Sequence, residues 1–326
     1  MKTQQVLRHH AFGEAGAVLR LEWLPIPEPK AGEVQVRLLV AAINPSDYGR
    51  MNGRYGHLPS LPAVAGREGV GVVEALGAGV KGVVCGQRVR FSDAGAWQTF
   101  CCLPADALVF VPEEIPTDQA AMAFINPPTA HCLLSQYMDL KAGDWIVQNA
   151  GNSAVGLAVI QMAKAMGVRT VSQVRREALV EPLKALGADV VVLEGSGWEA
   201  SVADLTGQQG LRLALNSVGG ASAIAQLKVL EAGGTQVTFG GMTGEAVRFP
   251  TRYIIFNDLR MLGFWWDAYC QKAQGGAVDA IMASVFKMFT DGSLRLPIAG
   301  KYSFSEYKEA LAHHESPRLG KILLTP

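Results

Sequence analysis

The sequence predicts an α/β protein in which a doubly wound parallel sheet is joined to a second, mainly β domain. Three features carry that expectation. Between residues 145 and 176 the chain reads strand, tight turn, helix, strand. After that stretch, short apolar runs alternate with helical segments, which gives a parallel sheet with right-handed crossovers. Before it, short β signals are cut at close intervals by Gly and Pro, as in compact antiparallel domains.

Taken in order, residues 19–24, 33–43, 70–76, 87–91 and 99–103 are the first predicted strands. Pro25, Pro27 and Pro29 keep the link after the first of them extended. From 115 to 138 the pattern turns helical. Trp145–Gln148 then has the run of a short buried parallel strand. Apolar residues recur at helical spacing through Val155, Val159, Met162 and Met166, and Gly167 stands where a helix stops. Arg169–Val174 is the next strand, followed by strands at 189–193, 211–216, 236–239 and 261–264, with a helix at 222–230. A helix over 278–289 and a strand at 321–324 return the chain to the first domain. The expected boundaries are 1–124 with 267–326 for the β domain and 125–266 for the sheet domain.

Lys plus Arg and Asp plus Glu balance at 29 each. That excludes the basic footprint nucleic acid requires and any polybasic patch for a membrane surface. Charged residues are 18% of the chain, below the roughly 25% usual for soluble domains, which fits a large interior and a subunit interface. No apolar stretch approaches the length of a membrane span. The five cysteines (Cys85, Cys101, Cys102, Cys132 and Cys270) are odd in number and irregular in spacing, so no disulfide framework is expected. The N-terminal residues carry neither an apolar signal core nor an Arg/Ser-rich amphipathic presequence, and a cytoplasmic location is expected. His9, His10, His313 and His314 are expected in solvent.

Residues 151–156, Gly-Asn-Ser-Ala-Val-Gly, lie between the first sheet strand and its helix. In that context a glycine-rich turn binds a diphosphate through backbone N–H groups at the helix N-terminus. Ser153 replaces the middle glycine and is small enough for close approach. Sites that take the unphosphorylated dinucleotide carry an acidic residue at the end of the second strand. Here Arg175 and Arg176 stand there. A carboxylate would repel a 2′-phosphate, whereas a guanidinium grips it with a forked pair of bonds. The expected cofactor is NADP(H); the alternative is a turn that binds nothing, beside two surface arginines.

Several stretches match a known pattern: 44–47 (Asn-Pro-Ser-Asp), 53–56 (Gly-Arg-Tyr-Gly), 126–130 (Asn-Pro-Pro-Thr-Ala), 148–150 (Gln-Asn-Ala), 213–220 (Leu-Ala-Leu-Asn-Ser-Val-Gly-Gly), 240–242 (Gly-Gly-Met) and 263–265 (Gly-Phe-Trp). With the leading β domain and the returning C-terminus, they resemble the medium-chain dehydrogenase/reductase superfamily. Within it they are most similar to the NADPH-dependent 2-enoyl thioester reductases. The resemblance implies a GroES-like catalytic domain beside a Rossmann domain. The superfamily also contains zinc enzymes. Where those carry an early Cys and a Gly-His-Glu motif, this chain has residues 44–47 and Gly66-Arg67-Glu68, and their four-cysteine structural lobe has no counterpart. No metal is therefore expected.

The reaction implied is NADPH-dependent reduction of the C=C bond of a trans-2-enoyl thioester, with hydride to the β-carbon and negative charge growing on the thioester oxygen. Without a Lewis acid another donor must hold that oxyanion, and Tyr55 matches the family's active-site tyrosine. Asn44, Trp265 and Trp266 are implied at the substrate pocket. At the cofactor the resemblance implies Asn126, Asn152, Ser153, Ala154, Val155, Arg175, Arg176, Phe239, Gly240, Gly241, Met242, Phe264, Trp265 and Lys321. It also implies an acyl group carried on coenzyme A or acyl carrier protein, and a homodimer. Two residues depart from the pattern. Arg67 stands where closer relatives carry Asn and is expected to pair with Glu68; His131 replaces a usual tyrosine and is read as structural. The rival readings are a quinone or enone oxidoreductase of the same superfamily and a non-catalytic NADPH-binding protein.

Overall fold

The computed structural model describes residues 2–92 and 95–326. Seven strands come first: β1 (Thr3–His9), β2 (Leu19–Pro25), β3 (Glu33–Ala42), β4 (Ala63–Val64), β5 (Gly69–Leu76), β6 (Arg88–Arg90) and β7 (Phe100–Pro104). Six more follow the helical stretch: β8 (Trp145–Gln148), β9 (Arg169–Val174), β10 (Val190–Leu193), β11 (Leu211–Asn216), β12 (Leu230–Thr238) and β13 (Arg260–Gly263). The last two are β14 (Ile298–Ser303) and β15 (Lys321–Thr325).

The β unit holds two sheets. One is β2-β1-β4, antiparallel throughout. The other runs β14-β15-β3-β5-β6, with β7 also paired to β3. Strand β3 organises it: β5 covers one edge, while β7 and β15 share the other at opposite ends. Val34, Val36, Leu38 and Val40 are correspondingly buried, and β-branched side chains suit such a doubly paired position. Leu7, Leu38, Phe91, Trp97 and Phe304 fill the core. Strands β1 and β14 were not legible in the sequence, being polar or glycine-containing runs. Of the four histidines expected in solvent only His10 is exposed; His313 is half-buried, its Nδ1 2.8 Å from the Tyr302 hydroxyl oxygen. His9 is buried, since β1 pairs with β4 at its position, and its Nδ1 lies 3.1 Å from the Ala11 carbonyl oxygen. His314 stacks on Tyr48 at 5.1 Å, and burial pulls its imidazole down to about 3.

The second unit is one parallel sheet ordered β10-β9-β8-β11-β12-β13. Counted within the unit this is the Rossmann order, and the winding reverses between β8 and β11. The helix Ala154–Ala165 buries Val155, Val159, Ile160 and Met162 as its periodicity predicts. It stops one residue before Met166, which is exposed, and Gly167 turns the chain with φ +72°.

The chain leaves this unit later than the sequence suggests. The two units are the residues up to Phe124 with Leu296–Pro326, and Ile125–Arg295. Residues 267–295 therefore belong to the Rossmann unit, correcting the expected boundary. The helix Ala277–Thr290 packs on Asn126–Ser135. Gln161 then brackets Arg295, donating Nε2 to its carbonyl at 3.0 Å and accepting its N–H at 2.9 Å. One residue on, Gln119 brackets Leu296 the same way, with both bonds at 2.9 Å. Two amides set the crossing point, and neither leaves a periodic trace. Among the described residues no helix is long and apolar enough to cross a membrane.

Candidate active site

In the Rossmann unit, β8 feeds a tight turn. Ala150 takes a φ of 46°, a left-handed conformation uncommon outside glycine, and the Ser153 N–H closes the turn on the Ala150 carbonyl at 2.8 Å. Ser153 caps the following helix, its Oγ accepting the Gly156 N–H at 3.1 Å. Gly156 has to lack a side chain, because a Cβ there would lie 2.7 Å from the Gly151 carbonyl oxygen. Turn and helix are thereby held in contact. The N–H groups of Ala154 and Val155, which no helical carbonyl can reach, are the donors such a helix start offers to a diphosphate. Arg175 and Arg176 follow β9 directly, and the end of β9 is tied to the turn by the Gly151 N–H on the Gln173 carbonyl at 2.9 Å. Two guanidinium groups and an anion-binding turn thus share the carboxyl ends of adjacent strands, which fits a 2′-phosphorylated dinucleotide.

Beneath the turn lies a network the sequence did not reveal. Asn149 Nδ2 donates to Asn216 Oδ1 at 2.8 Å and to Ser222 Oγ at 3.2 Å, while its Oδ1 accepts the Ser217 N–H at 2.8 Å. Asn216 Oδ1 also accepts the Gly219 N–H at 3.0 Å, and Ser222 Oγ donates to Gln173 Oε1 at 3.2 Å. All four side chains are buried. Their bonds join the ends of β8, β9 and β11 at the point where the winding reverses, where ligands of such sheets bind. A polar residue closing an otherwise apolar strand was the available signal.

The other expected cofactor residues follow the neighbouring strands. The Phe239 N–H donates to the Asn216 carbonyl at 2.9 Å and the Met242 N–H to that of Ser217 at 3.0 Å. Gly240 passes so close that a Cβ would sit 3.0 Å from the Ser217 carbonyl oxygen. Gly241 and Met242 are exposed. The Phe264 N–H donates to the Thr238 carbonyl at 2.9 Å, and the ring is buried edge-on to Tyr137. So Asn152, Ser153, Ala154, Val155, Arg175, Arg176, the 239–242 loop and Phe264 gather at the carboxyl edge of the sheet. Asn126 is buried at the first position of its helix. Trp265 is half-buried, while Trp266 is buried and stacks on Tyr269 at 5.7 Å and 12°.

In the β unit, the helix Pro45–Met51 starts directly after β3. Pro45 suits the first helical position. Asp47 Oδ2 accepts the Asn44 N–H at 2.6 Å, and the Asp47 N–H returns to the Asn44 carbonyl at 3.0 Å. Gly53, with φ +76°, opens the loop that carries Tyr55. Gly49 leaves space for the Tyr55 ring, whose Cδ2 would be 3.0 Å from a Cβ there. Arg67 Nη1 donates to the Tyr55 hydroxyl oxygen at 3.0 Å, with its guanidinium carbon 5.2 Å from the ring centroid. Gly66 positions Arg67: its φ is +88°, and a Cβ would strike Trp97 at 2.2 Å.

Next to Arg67 in the chain, Glu68 belongs to a buried charged cluster. Its Oε2 accepts from Asn44 Nδ2 at 2.9 Å and its Oε1 from the Phe124 N–H at 2.8 Å. Lys321 Nζ donates to the Ile43 carbonyl at 2.8 Å and to Asn44 Oδ1. Lys321, expected at the cofactor, is thus anchored inside the β unit. Loss of hydration pushes the Asp47 carboxyl up to about 7, opposed by the Asn44 N–H and the charges of Arg67 and Lys321. The same cause pulls Lys321 down to about 8 against the pull of Glu68 and Asp47. Asp47 was detectable as the third residue of a helix opened by Asn-Pro; nothing in the sequence marked Glu68 as buried. Among the described residues no three His, Cys, Asp or Glu side chains gather where a metal ion could be held.

Comparison with known proteins places this geometry. Residues 154–282 match the zinc-binding dehydrogenase family and residues 30–113 the alcohol dehydrogenase GroES-like domain. The mitochondrial enoyl-[acyl-carrier-protein] reductase of Xenopus tropicalis is 38% identical over 97% of this chain and 93% of its own. Among solved structures, the mitochondrial 2-enoyl thioester reductase Etr1p/Etr2p heterodimer of Candida tropicalis is 26% identical, with a TM-score of 0.91 and 100% of both chains covered. A complex of Etr1p with NADP and crotonyl-CoA is 26% identical with a TM-score of 0.92, again over 100% of both chains. A mycobacterial quinone oxidoreductase is 26% identical with a TM-score of 0.85, covering 99% of this chain and 100% of its own. The expected cytoplasmic location is corrected by these relatives, two of which are named mitochondrial. The N-terminal stretch behind that expectation is largely β1, a strand of the fold, and carries no information on location. The chain belongs to the medium-chain dehydrogenase/reductase superfamily and, within it, to the family of the enoyl-[acyl-carrier-protein] reductases.

Proposed function

We propose that this chain reduces the carbon–carbon double bond of trans-2-enoyl thioesters with NADPH. The observation that carries the reading is a phenol, Tyr55, whose oxygen is held by a buried guanidinium. NADPH, when bound, supplies the hydride that the β-carbon receives. A proton taken up at the α-carbon, ultimately from water, completes the reduction, and the chain's own groups bind and orient the reactants. The N–H groups after Ser153 take the diphosphate, Arg175 and Arg176 take the 2′-phosphate, and the Tyr55 hydroxyl donates to the thioester oxygen as charge grows there. The acyl carrier is coenzyme A or acyl carrier protein, both of which present the same thioester. Etr1p in complex with NADP and crotonyl-CoA supports the substrate class and the cofactor.

The resemblance to a quinone oxidoreductase supports a second reading, in which the acceptor is a quinone or enone. Steady-state NADPH oxidation with crotonyl-CoA and with a soluble benzoquinone separates the two. Turnover with crotonyl-CoA well above that with the quinone is expected, and activity confined to the quinone would reject the thioester reading. A homodimer is also proposed. Strand β13 ends the sheet with Arg260, Leu262 and Gly263 exposed, an open row of backbone donors and acceptors that a second copy can pair. Light scattering should give a dimer mass at micromolar concentration; a monomer mass would remove that part.

A further inference from the structure

The contact between Arg67 and Tyr55 does more than pack the loop. A guanidinium has donors only, so at the 3.0 Å contact the phenol oxygen is the acceptor. The hydroxyl hydrogen must then lie away from Arg67, and a rotor that would otherwise sample several directions is restricted. Arg67 is buried, its backbone is set by Gly66 against Trp97, and its guanidinium also lies near the phenol face. Arginine keeps its charge under all working conditions. The cation therefore sits permanently beside the oxygen that must support charge as its hydrogen is drawn toward a substrate.

We propose that Arg67 is the positioning residue for Tyr55, aiming the phenol hydrogen at the thioester oxygen and stabilising the charge that shifts onto the phenol oxygen in the transition state. No bond to Arg67 forms or breaks. The inference rests on the reading of Tyr55 as the oxyanion donor, and it assigns a role to the position where the resemblance to the 2-enoyl thioester reductases leads one to expect asparagine.

The test is a double-mutant cycle, R67M, Y55F and R67M/Y55F, with R67K beside it, assayed by NADPH oxidation with crotonyl-CoA. Thermal melts and NADPH fluorescence report folding. The expected result for R67M is a fall in kcat of about tenfold, as for loss of a charge-assisted bond, with the crotonyl-CoA KM within about twofold. R67K, which restores the charge and a donor, should recover to within about threefold of wild type. In the Y55F background, R67M should cost nothing further. A full tenfold loss persisting in that background, or wild-type kcat for R67M, overturns the proposal while leaving Tyr55 as donor. Wild-type turnover by Y55F itself overturns both. Should R67M fail to fold, R67K carries the cycle: its smaller loss must vanish in Y55F, and persistence would overturn the proposal.

Discussion

Each unit contains a buried polar network, and the two are made of different material. Around Asn149 in the Rossmann unit the members are amides and hydroxyls, and the bonds among them join neutral groups. Around Asn44 in the β unit they are two carboxylates, a lysine and one amide. The neutral network shapes backbone: it joins three strand ends and so holds the turn that takes a diphosphate. It does this without the desolvation cost of burying charge. The charged network carries that cost, visible in the displaced carboxyl of Asp47 and ammonium of Lys321. Through Glu68 it continues in the chain to Arg67 and so to the phenol of Tyr55. Binding a nucleotide calls for fixed donors; meeting a growing negative charge calls for an electrostatic field. On the proposed function, the two networks divide those tasks.

The largest expected effect tests the nucleotide side. Replacing Arg175 and Arg176 by Ala should weaken NADPH binding about 100-fold, the worth of one or two charge-assisted bonds, while NADH affinity stays within about twofold. Titration of cofactor fluorescence measures both, and equal weakening would remove the arginines from 2′-phosphate recognition. Next is Asn149→Ala, which strands the buried Ser217 N–H and one Asn216 oxygen contact. A loss of about 2 kcal/mol is expected, with the same size from pH 5 to pH 9 because none of the partners titrates there. Urea unfolding at several pH values measures it, and a loss that changes with pH would blur the contrast between the networks.

A change with pH is expected of Asp47→Asn, which keeps an oxygen for the Asn44 N–H. The folded state holds the Asp47 carboxyl above its ordinary 3.8, at about 7. The protonated form is therefore favoured by folding, and that contribution is present below about 3.8 and lost as pH rises through about 7. Asparagine does not titrate, so the stability of Asp47→Asn relative to wild type should climb between pH 4 and pH 7 and level off above. Urea midpoints across that range decide it. A constant difference would mean that Asp47 ionises without cost.

The sequence carried much of this and missed the rest for definite reasons. The run from β8 through the helix Ala154–Ala165 to β9 was legible because local periodicity and glycines specify it, and Arg175 and Arg176 followed from position alone. Tyr55 rested on resemblance, since a tyrosine in a glycine-rich loop has no local mark of chemistry. The Arg67 bond to Tyr55 spans twelve residues and depends on Gly66 meeting Trp97, a tertiary fact. The expected pairing of Arg67 with Glu68 did not foresee it. Lys321 was placed at the cofactor by resemblance; its bonds to the Ile43 carbonyl and Asn44 Oδ1 join residues far apart in the chain, which no local pattern reports. The crossing at Arg295 was hidden because Gln161 and Gln119 act through amide bonds that no hydrophobic pattern reports.

The central claim is that a phenol, held from behind by a guanidinium, receives the oxyanion of an enoyl thioester. A crystal structure of this chain with NADP and crotonyl-CoA tests it most directly. The account predicts the Tyr55 hydroxyl within about 3.2 Å of the thioester oxygen, with Arg67 still donating to the phenol from its far side. A thioester oxygen held by some other donor, with the phenol beyond hydrogen-bond reach, would contradict it.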